Sequence, residues 1–246
     1  MKTDLVPQDG PVGDYLLFLP TLLSVIAGGA DVCSFLGFGL FNAHITGNLV
    51  ILAAHIVARG TADTALILSV PVFILALAMT RLLAAGFKSL PARPLPSLLL
   101  LQFLLLAGSF ALCAIPGGHF NPNSGSAIIA GQLGVAAMAV QAALVQLSLH
   151  GGPSTAPMTA NITRFVMDAG NVLLEGASVG VSDARHRVKQ TWPVIVGFIT
   201  GAALGALCFA AAGPKSMGFP AALALLAVVM SMGASPHGRR VNISHP

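Results

Sequence analysis

The sequence predicts an all-α fold, a polytopic bundle of transmembrane helices. Three observations carry that prediction. Apolar types make up 55% of the 246 residues and charged types only 8%, where a typical soluble domain carries about 25% charged residues. The mean hydropathy is +0.85. A soluble domain of this size must cover its surface with polar groups, and this chain holds too few. The third observation is a succession of apolar runs, each near the roughly 20 residues that cross a bilayer as a helix.

Six runs meet that length: 15–37, 64–87, 97–116, 126–149, 191–212 and, shortest, 219–234. Two further segments differ. Residues 43–58, AHITGNLVILAAHIVA, are short for a span and open with polar residues. Residues 156–180 carry Arg164, Asp168 and Glu175. The two resemble each other, since 43–50 align without gaps on 156–163 and share a Thr-x-Asn head. Each follows one long apolar run and precedes two more. That order predicts an internal duplication, a common plan in transporter folds. The expected organisation is a cytoplasmic tail at 1–14, one membrane domain at 15–235 with repeats at about 15–116 and 126–234, and a cytoplasmic tail at 236–246.

Lys and Arg collect in short cytoplasmic loops. If the six long runs span and the two polar-headed segments re-enter, only Arg59 and Lys215 fall outside, apart from the embedded Arg81 and Arg164. If all eight span, Lys88, Arg93 and Lys215 fall outside. The first arrangement gives three spans per repeat and therefore inverted halves. The alternative, four spans per repeat, gives parallel halves. Both place the N- and C-termini in the cytoplasm. The tail holds Lys2 with Asp4, Asp9 and Asp14 and lacks the basic start and cleavage site of a signal peptide, so it is expected to be retained.

Several function classes find no support. The basic residues lie between apolar runs and do not cluster as a nucleic-acid surface. Cys33, Cys113 and Cys208 are an odd number without a CxxC, which argues against a disulfide framework or a zinc site. No P-loop, GxSxG, HExxH or dinucleotide fingerprint occurs. The HFNPN stretch at 119–123 has no second copy and reads as a turn. No enzyme activity, cofactor or metal is expected.

Candidate residues come from the cost of polarity in hydrocarbon. An ionisable side chain there costs about 2.5–3.5 kcal/mol, so it needs a partner, a cavity or a task. Asp31, after Gly28-Gly29-Ala30 in the first run, fits a contact to an ion, proton or solute, or an internal hydrogen-bond anchor. Thr46 and Asn48, with Thr159 and Asn161, suit the start of a re-entrant helix, where Thr and Asn cap free N–H groups and the positive dipole end points inward. They line a site or only fix packing. His44 is the candidate titrating residue. Arg164 and Asp168 have the i, i+4 spacing of an ion pair and act as a gate or a structural pair. Gln102, Gln132, Gln141 and Gln146 are expected to hydrogen-bond between helices.

The segment 28–56, GGADVCSFLGFGLFNAHITGNLVILAAHI, resembles the first signature of the YoaK-like bacterial membrane proteins, the domain-of-unknown-function 1275 group. Asp31, Thr46, Gly47 and Asn48 match it. The segment 139–170 resembles the second signature through Gln141, Thr159 and Arg164, with Ala160 in place of the usual glycine and Asn161 where Thr often occurs. The resemblance covers about 15–235 and implies a multi-pass protein of the bacterial cytoplasmic membrane. It implies no particular substrate. Gln141 joins the candidate substrate- or ion-binding set on this ground. The leading expectation is a transporter or channel for a small molecule or ion. The alternatives are a non-transporting scaffold or accessory subunit, and an intramembrane or lipid-modifying enzyme. The expected partners are the lipid bilayer and the solute, with no nucleic acid; a homo-oligomer stays open.

Overall fold

A computed structural model describes residues 11–59, 63–86, 94–115, 121–148, 155, 158–174 and 181–233. Among them the secondary structure is helical. The helices are α1 (Pro11–Phe38), α2 (Ile45–Arg59), α3 (Thr64–Gly86), α4 (Pro94–Ala114), α5 (Gly125–Ser148), α6 (Met158–Leu174), α7 (Val181–Ala212) and α8 (Gly218–Gly233). A 3-10 turn, Gly213–Met217, separates the last two.

Five helical stretches are long and apolar enough to cross a membrane, the fifth running from Val181 to Gly233 through both α7 and α8. The protein is therefore a membrane-embedded, multi-pass helical bundle. Two boundaries differ from expectation. Helix α1 begins at Pro11, inside the expected tail. Helix α7 begins at Val181, ten residues before its apolar run, because VSDARHRVKQ continues the helix as a charged, outward-facing extension. The short segments form short helices, α2 of 15 residues and α6 of 17. Glu175, residues 1–10 and residues 234–246 lie outside the described residues.

Backbone chemistry sets two of the breaks. Gly39 has φ +72° and donates its N–H to the Phe35 carbonyl at 3.0 Å, a left-handed stop that only glycine reaches without strain. Gly213, with φ +59°, is followed by Pro214, and the pair ends α7. The HFNPN stretch is a turn over its described part, where the Asn121 side chain accepts the Asn123 N–H at 2.9 Å.

Helix α1 is the enclosed centre. It packs on α5, α7 and α8, and Leu19, Leu23, Ile26, Ala27, Ala30 and Cys33 are fully buried along it. Around it α4 packs on α5 and α8, α3 on α5, α2 on α3 and α6 on α7. Against α7 the packing is close: a Cβ on Gly28 would collide with the Phe198 carbonyl, and one on Gly201 with the Val25 carbonyl. Small residues let backbones approach in this way, which is how membrane helices gain dispersion contact without a hydrophobic driving force between them. The Ser24 hydroxyl bridges the same pair, donating to the Val194 carbonyl at 2.6 Å.

Residue pairings fix relative directions. Thr21 meets Gly197, Val25 meets Gly201 and Gly29 meets Gly205, so α1 and α7 run parallel. Gln141 reaches Leu23 early in α1, and Gly134, earlier in α5, meets Asn42 just beyond the end of α1. Helices α1 and α5 are thus antiparallel. Gln102 bonds Gln141 and Ser109 bonds the Ala130 carbonyl, so α4 is antiparallel to α5 and parallel to α1.

Candidate functional site

The chain leaves α1 at Phe38 and folds back beside it. Asp31, 2% exposed, holds this return. Its Oδ1 accepts the backbone N–H groups of Asn42 at 2.8 Å and Ala43 at 2.6 Å. Its Oδ2 pairs with His44 Nδ1 at 2.5 Å. Asn42, also buried, donates to the Ala30 carbonyl at 3.3 Å and accepts from Ser34 Oγ at 3.0 Å. Without these acceptors the turn would bury orphan N–H groups, each costing about 1–3 kcal/mol. The His44 ring is held edge-on between Phe41 and Phe198, with centroids at 6.3 and 5.3 Å.

Asn48, in the first turns of α2, grips the same loop from the other side. Its Oδ1 accepts the Phe41 N–H at 2.7 Å and its Nδ2 donates to the Phe41 carbonyl at 2.8 Å. Thr46 is exposed beside it. The second head repeats that division: Asn161 is buried and Thr159 exposed.

The loop before α6 has its own anchor. Gln141, 1% exposed, donates from Nε2 to the Leu23 carbonyl at 2.9 Å and to Thr155 Oγ1 at 3.1 Å. Its Oε1 accepts from Gln102 Nε2 at 2.7 Å. Asp31 lies seven residues before the end of α1, and Gln141 seven before the end of α5. Asn42 and Thr155 are therefore each held about 10 Å of helix before the end of the preceding helix. The two anchors meet α1 at different levels, near Asp31 and near Leu23. Among the described residues α2 and α6 do not form a packed pair.

One family model matches residues 19–230, the family described as Protein of unknown function (DUF1275). The chain belongs to that family. No curated protein and no solved structure matches it. Within this DUF1275 member, three of the signature residues that the sequence singled out fall on the two loop anchors, while Thr46, Thr159 and Arg164 are exposed. Asp31 and Asn48 hold the first loop, and Gln141 holds the second.

One expectation is corrected. Asp168 does not take Arg164 as its ion-pair partner. It is bound by Arg187 of α7, through Nε at 3.0 and 3.1 Å and Nη2 at 2.6 Å. That bidentate pair, with burial opposing it, holds the Asp168 carboxyl below its ordinary range, and Arg164 adds a more distant Coulombic pull. Arg164 itself is exposed on α6. A two-nitrogen fork from a neighbouring helix outcompetes an i, i+4 contact because it satisfies both carboxylate oxygens.

Three of the four glutamines behave as expected of interhelical donors: Gln102 to Gln141, Gln141 to Leu23, and Gln132 to the Ala65 carbonyl at 2.9 Å; Gln146 is exposed. Cys33 and Cys113 are buried free thiols. Among the described residues no group of three or more His, Cys, Asp or Glu could hold a metal ion. A cavity of about 650 Å³ opens elsewhere, between the end of α1, α2, the start of α3 and the approach to α5. Phe35, Phe38 and Ile51 line it together with Asn123 and the hydrogen-bonded pair His55–Asp63 at 2.7 Å. Asp31, His44 and Asn48 are not in its wall.

Sequence reasoning did not single out Asn42, Thr155, Arg187 or the glycines at 197, 201 and 205. The glycines carry a readable signal in their four-residue spacing. Thr155 stands opposite Asn42 in the repeat alignment, a second signal.

Proposed function

We propose that this DUF1275 protein is a transporter or channel for a small solute, built as six spans with two re-entrant segments, and that the dipped loops form its path. The observation that carries this is that the first loop folds back beside α1 onto buried Asp31, while Thr155, ahead of α6, is held at the matching depth by buried Gln141. Chain that re-enters hydrocarbon is tolerated only where it is enclosed by protein or lines a wet cavity. Broken segments of this kind recur at solute sites in transporters built from repeats.

The helix directions support the six-span arrangement. Eight successive spans would make α1 parallel to α5 and antiparallel to α4. The opposite holds, as expected when α2 and α6 enter and leave on one side. The packing supports an inverted repeat. Exchanging α1 with α5, α2 with α6, α3 with α7 and α4 with α8 turns α1–α7 into α5–α3, α4–α5 into α8–α1 and α2–α3 into α6–α7. Placement in a bacterial cytoplasmic membrane with both termini inside rests on the distribution of Lys and Arg and on the signature resemblance.

A second reading, a non-transporting scaffold or accessory subunit, draws on a different fact. The polar atoms of Asp31 and Asn48 are engaged within the protein. The two readings part in one experiment. Single cysteines replace Thr46 and Thr159, and a membrane-impermeant thiol reagent is applied from each side of sealed vesicles. A path expects position 46 to react from the outer side and position 159 from the inner side, with reaction slowed by a transported solute. A scaffold expects both to stay inert.

A further inference from the structure

We propose that His44 is the proton-binding group of this site, and that Asp31 is a positioning residue that holds it rather than the group that meets a solute. The proposal rests on reading the first loop as part of a solute path, and it names the ion coupled to that path.

The hydrogen bonds around Asp31 leave it little to offer a ligand. Oδ1 takes two backbone N–H groups and Oδ2 takes His44. The side chain is 3% exposed, whereas that of His44 is 33% exposed. With Nδ1 committed to the carboxylate, Nε2 is the ring nitrogen that remains. A carboxylate bound to one imidazole nitrogen fixes the tautomer and ring orientation and raises the basicity of the other nitrogen. The edges of Phe41 and Phe198 fix the ring plane.

The surroundings leave this pair to set the local charge. Residues 45–54 of α2, all of α5, residues 191–212 of α7 and all of α8 contain no Asp, Glu, Lys, Arg or His, and Lys215, on the 3-10 turn that packs against α1, is exposed. On α1, Asp31 is the only such residue between 18 and 38. The neighbouring thiol, Cys33, is turned to the carbonyls of Gly205 and Ser216. The pair carries net charge −1 with neutral imidazole and zero with imidazolium. A proton from water adds to Nε2, forming one N–H bond and an imidazolium–carboxylate pair; its return to water restores −1. Net charge is costly at low dielectric, so the site favours binding a proton or a cation over standing charged.

The second half lacks this device. Its anchor is the amide Gln141 with Thr155, and Pro157 stands where His44 stands in the first half. Equal loop depth with unequal chemistry confines proton binding to one side.

The test uses the full chain in detergent with ring-labelled histidine. NMR titration from pH 5 to 9 follows seven histidines, and His44→Gln assigns the signal by its loss. The expected result is a His44 titration within that window whose midpoint moves about threefold or more in proton concentration in Asp31→Asn, while His55 is unchanged. Asp31→Glu, which keeps the charge but moves the carboxylate, serves if Asp31→Asn does not fold. A silent His44, or a midpoint indifferent to position 31, overturns the proposal. Proteoliposome uptake under a pH gradient separates the two claims. Titration without uptake keeps the proton site and sinks the solute path; uptake without His44 titration sinks the proton site alone.

Discussion

At the scale of single residues, polar side chains near this chain's dipped segments are defined by what they satisfy. Asp168 and Arg187 give the cleanest pH signature. The guanidinium holds the Asp168 carboxyl below the usual carboxylate range. A carboxylate with a folded pKa below its unfolded one stabilises the fold above the unfolded value, and that contribution fades as pH falls through the folded one. The window therefore lies below about pH 4. Asp168→Asn should lower the apparent melting temperature in detergent by the same amount at pH 8 and pH 6, and by less at pH 3. A gap that persists undiminished at pH 3 would exclude the titrating pair. The Asp168–Arg187 contact was not legible in the sequence, because it joins α6 to α7 and no local spacing encodes it. The Thr-x-Asn heads were half legible. Their polarity marked helix starts, but only packing decides that Asn48 and Asn161 are buried while Thr46 and Thr159 are exposed. Asp31 was legible as a buried ionisable group, and its bonds to Asn42, Ala43 and His44 follow the anchor reading of that residue.

At the scale of elements, helix existence was the readable part, since α3, α4, α5 and α8 begin and end within a few residues of their apolar runs. Hydropathy over 20 residues averages away local noise, and lipid leaves the backbone little alternative to helix. The starts of α1 and α7 were misjudged because a helix can run on beyond the hydrocarbon, where its side chains turn polar. Gly28 and Gly29 signalled close approach but not which helix approaches. The partner is α7, whose glycines at 197, 201 and 205 lie one turn apart on the facing stripe. Gly201→Ala should therefore force α1 and α7 apart. Overpacking of this kind costs about 1–3 kcal/mol, and the apparent melting temperature should fall accordingly. Gly170→Ala is the control, because a Cβ there meets open space within α6. It should be neutral or gain up to about 1 kcal/mol from helix propensity. Equal effects at the two positions would mean that backbone freedom, not the α1–α7 contact, governs the change.

At the scale of the whole molecule, the directions of four helices bear on an ambiguity that charge counting nearly left even. The positive residues favoured six spans over eight by a narrow margin, because exposed Lys and Arg are few in a chain with 8% charged residues. Residue pairings are independent of that count. With α1 parallel to α4 and α7 and antiparallel to α5, a chain of spanning helices must cross an odd number of times between α1 and α4 and an even number between α1 and α5. Under the proposed six-span arrangement, helix α2 begins deep, beside Asp31, and climbs back to the face from which the loop descended, and helix α6 does the same from beside Gln141, from the opposite face. Reporter cysteines at 60, 90, 122, 152 and 178 convert this into an observable. Labelling of sealed inside-out and right-side-out vesicles should place 60 and 122 on one side and 90, 152 and 178 together on the other. The decisive comparison is 152 against 178, which flank α6. If they label from opposite sides, α6 spans, the halves are parallel, and the anchors at Asp31 and Gln141 no longer face a common interior from opposite leaflets. If they label from the same side, the two loops are equivalent by inversion. The Asp31–Asn42 contact and the Gln141–Thr155 contact are then the same structural position, and the first half adds a titratable group, His44, where the second has Pro157.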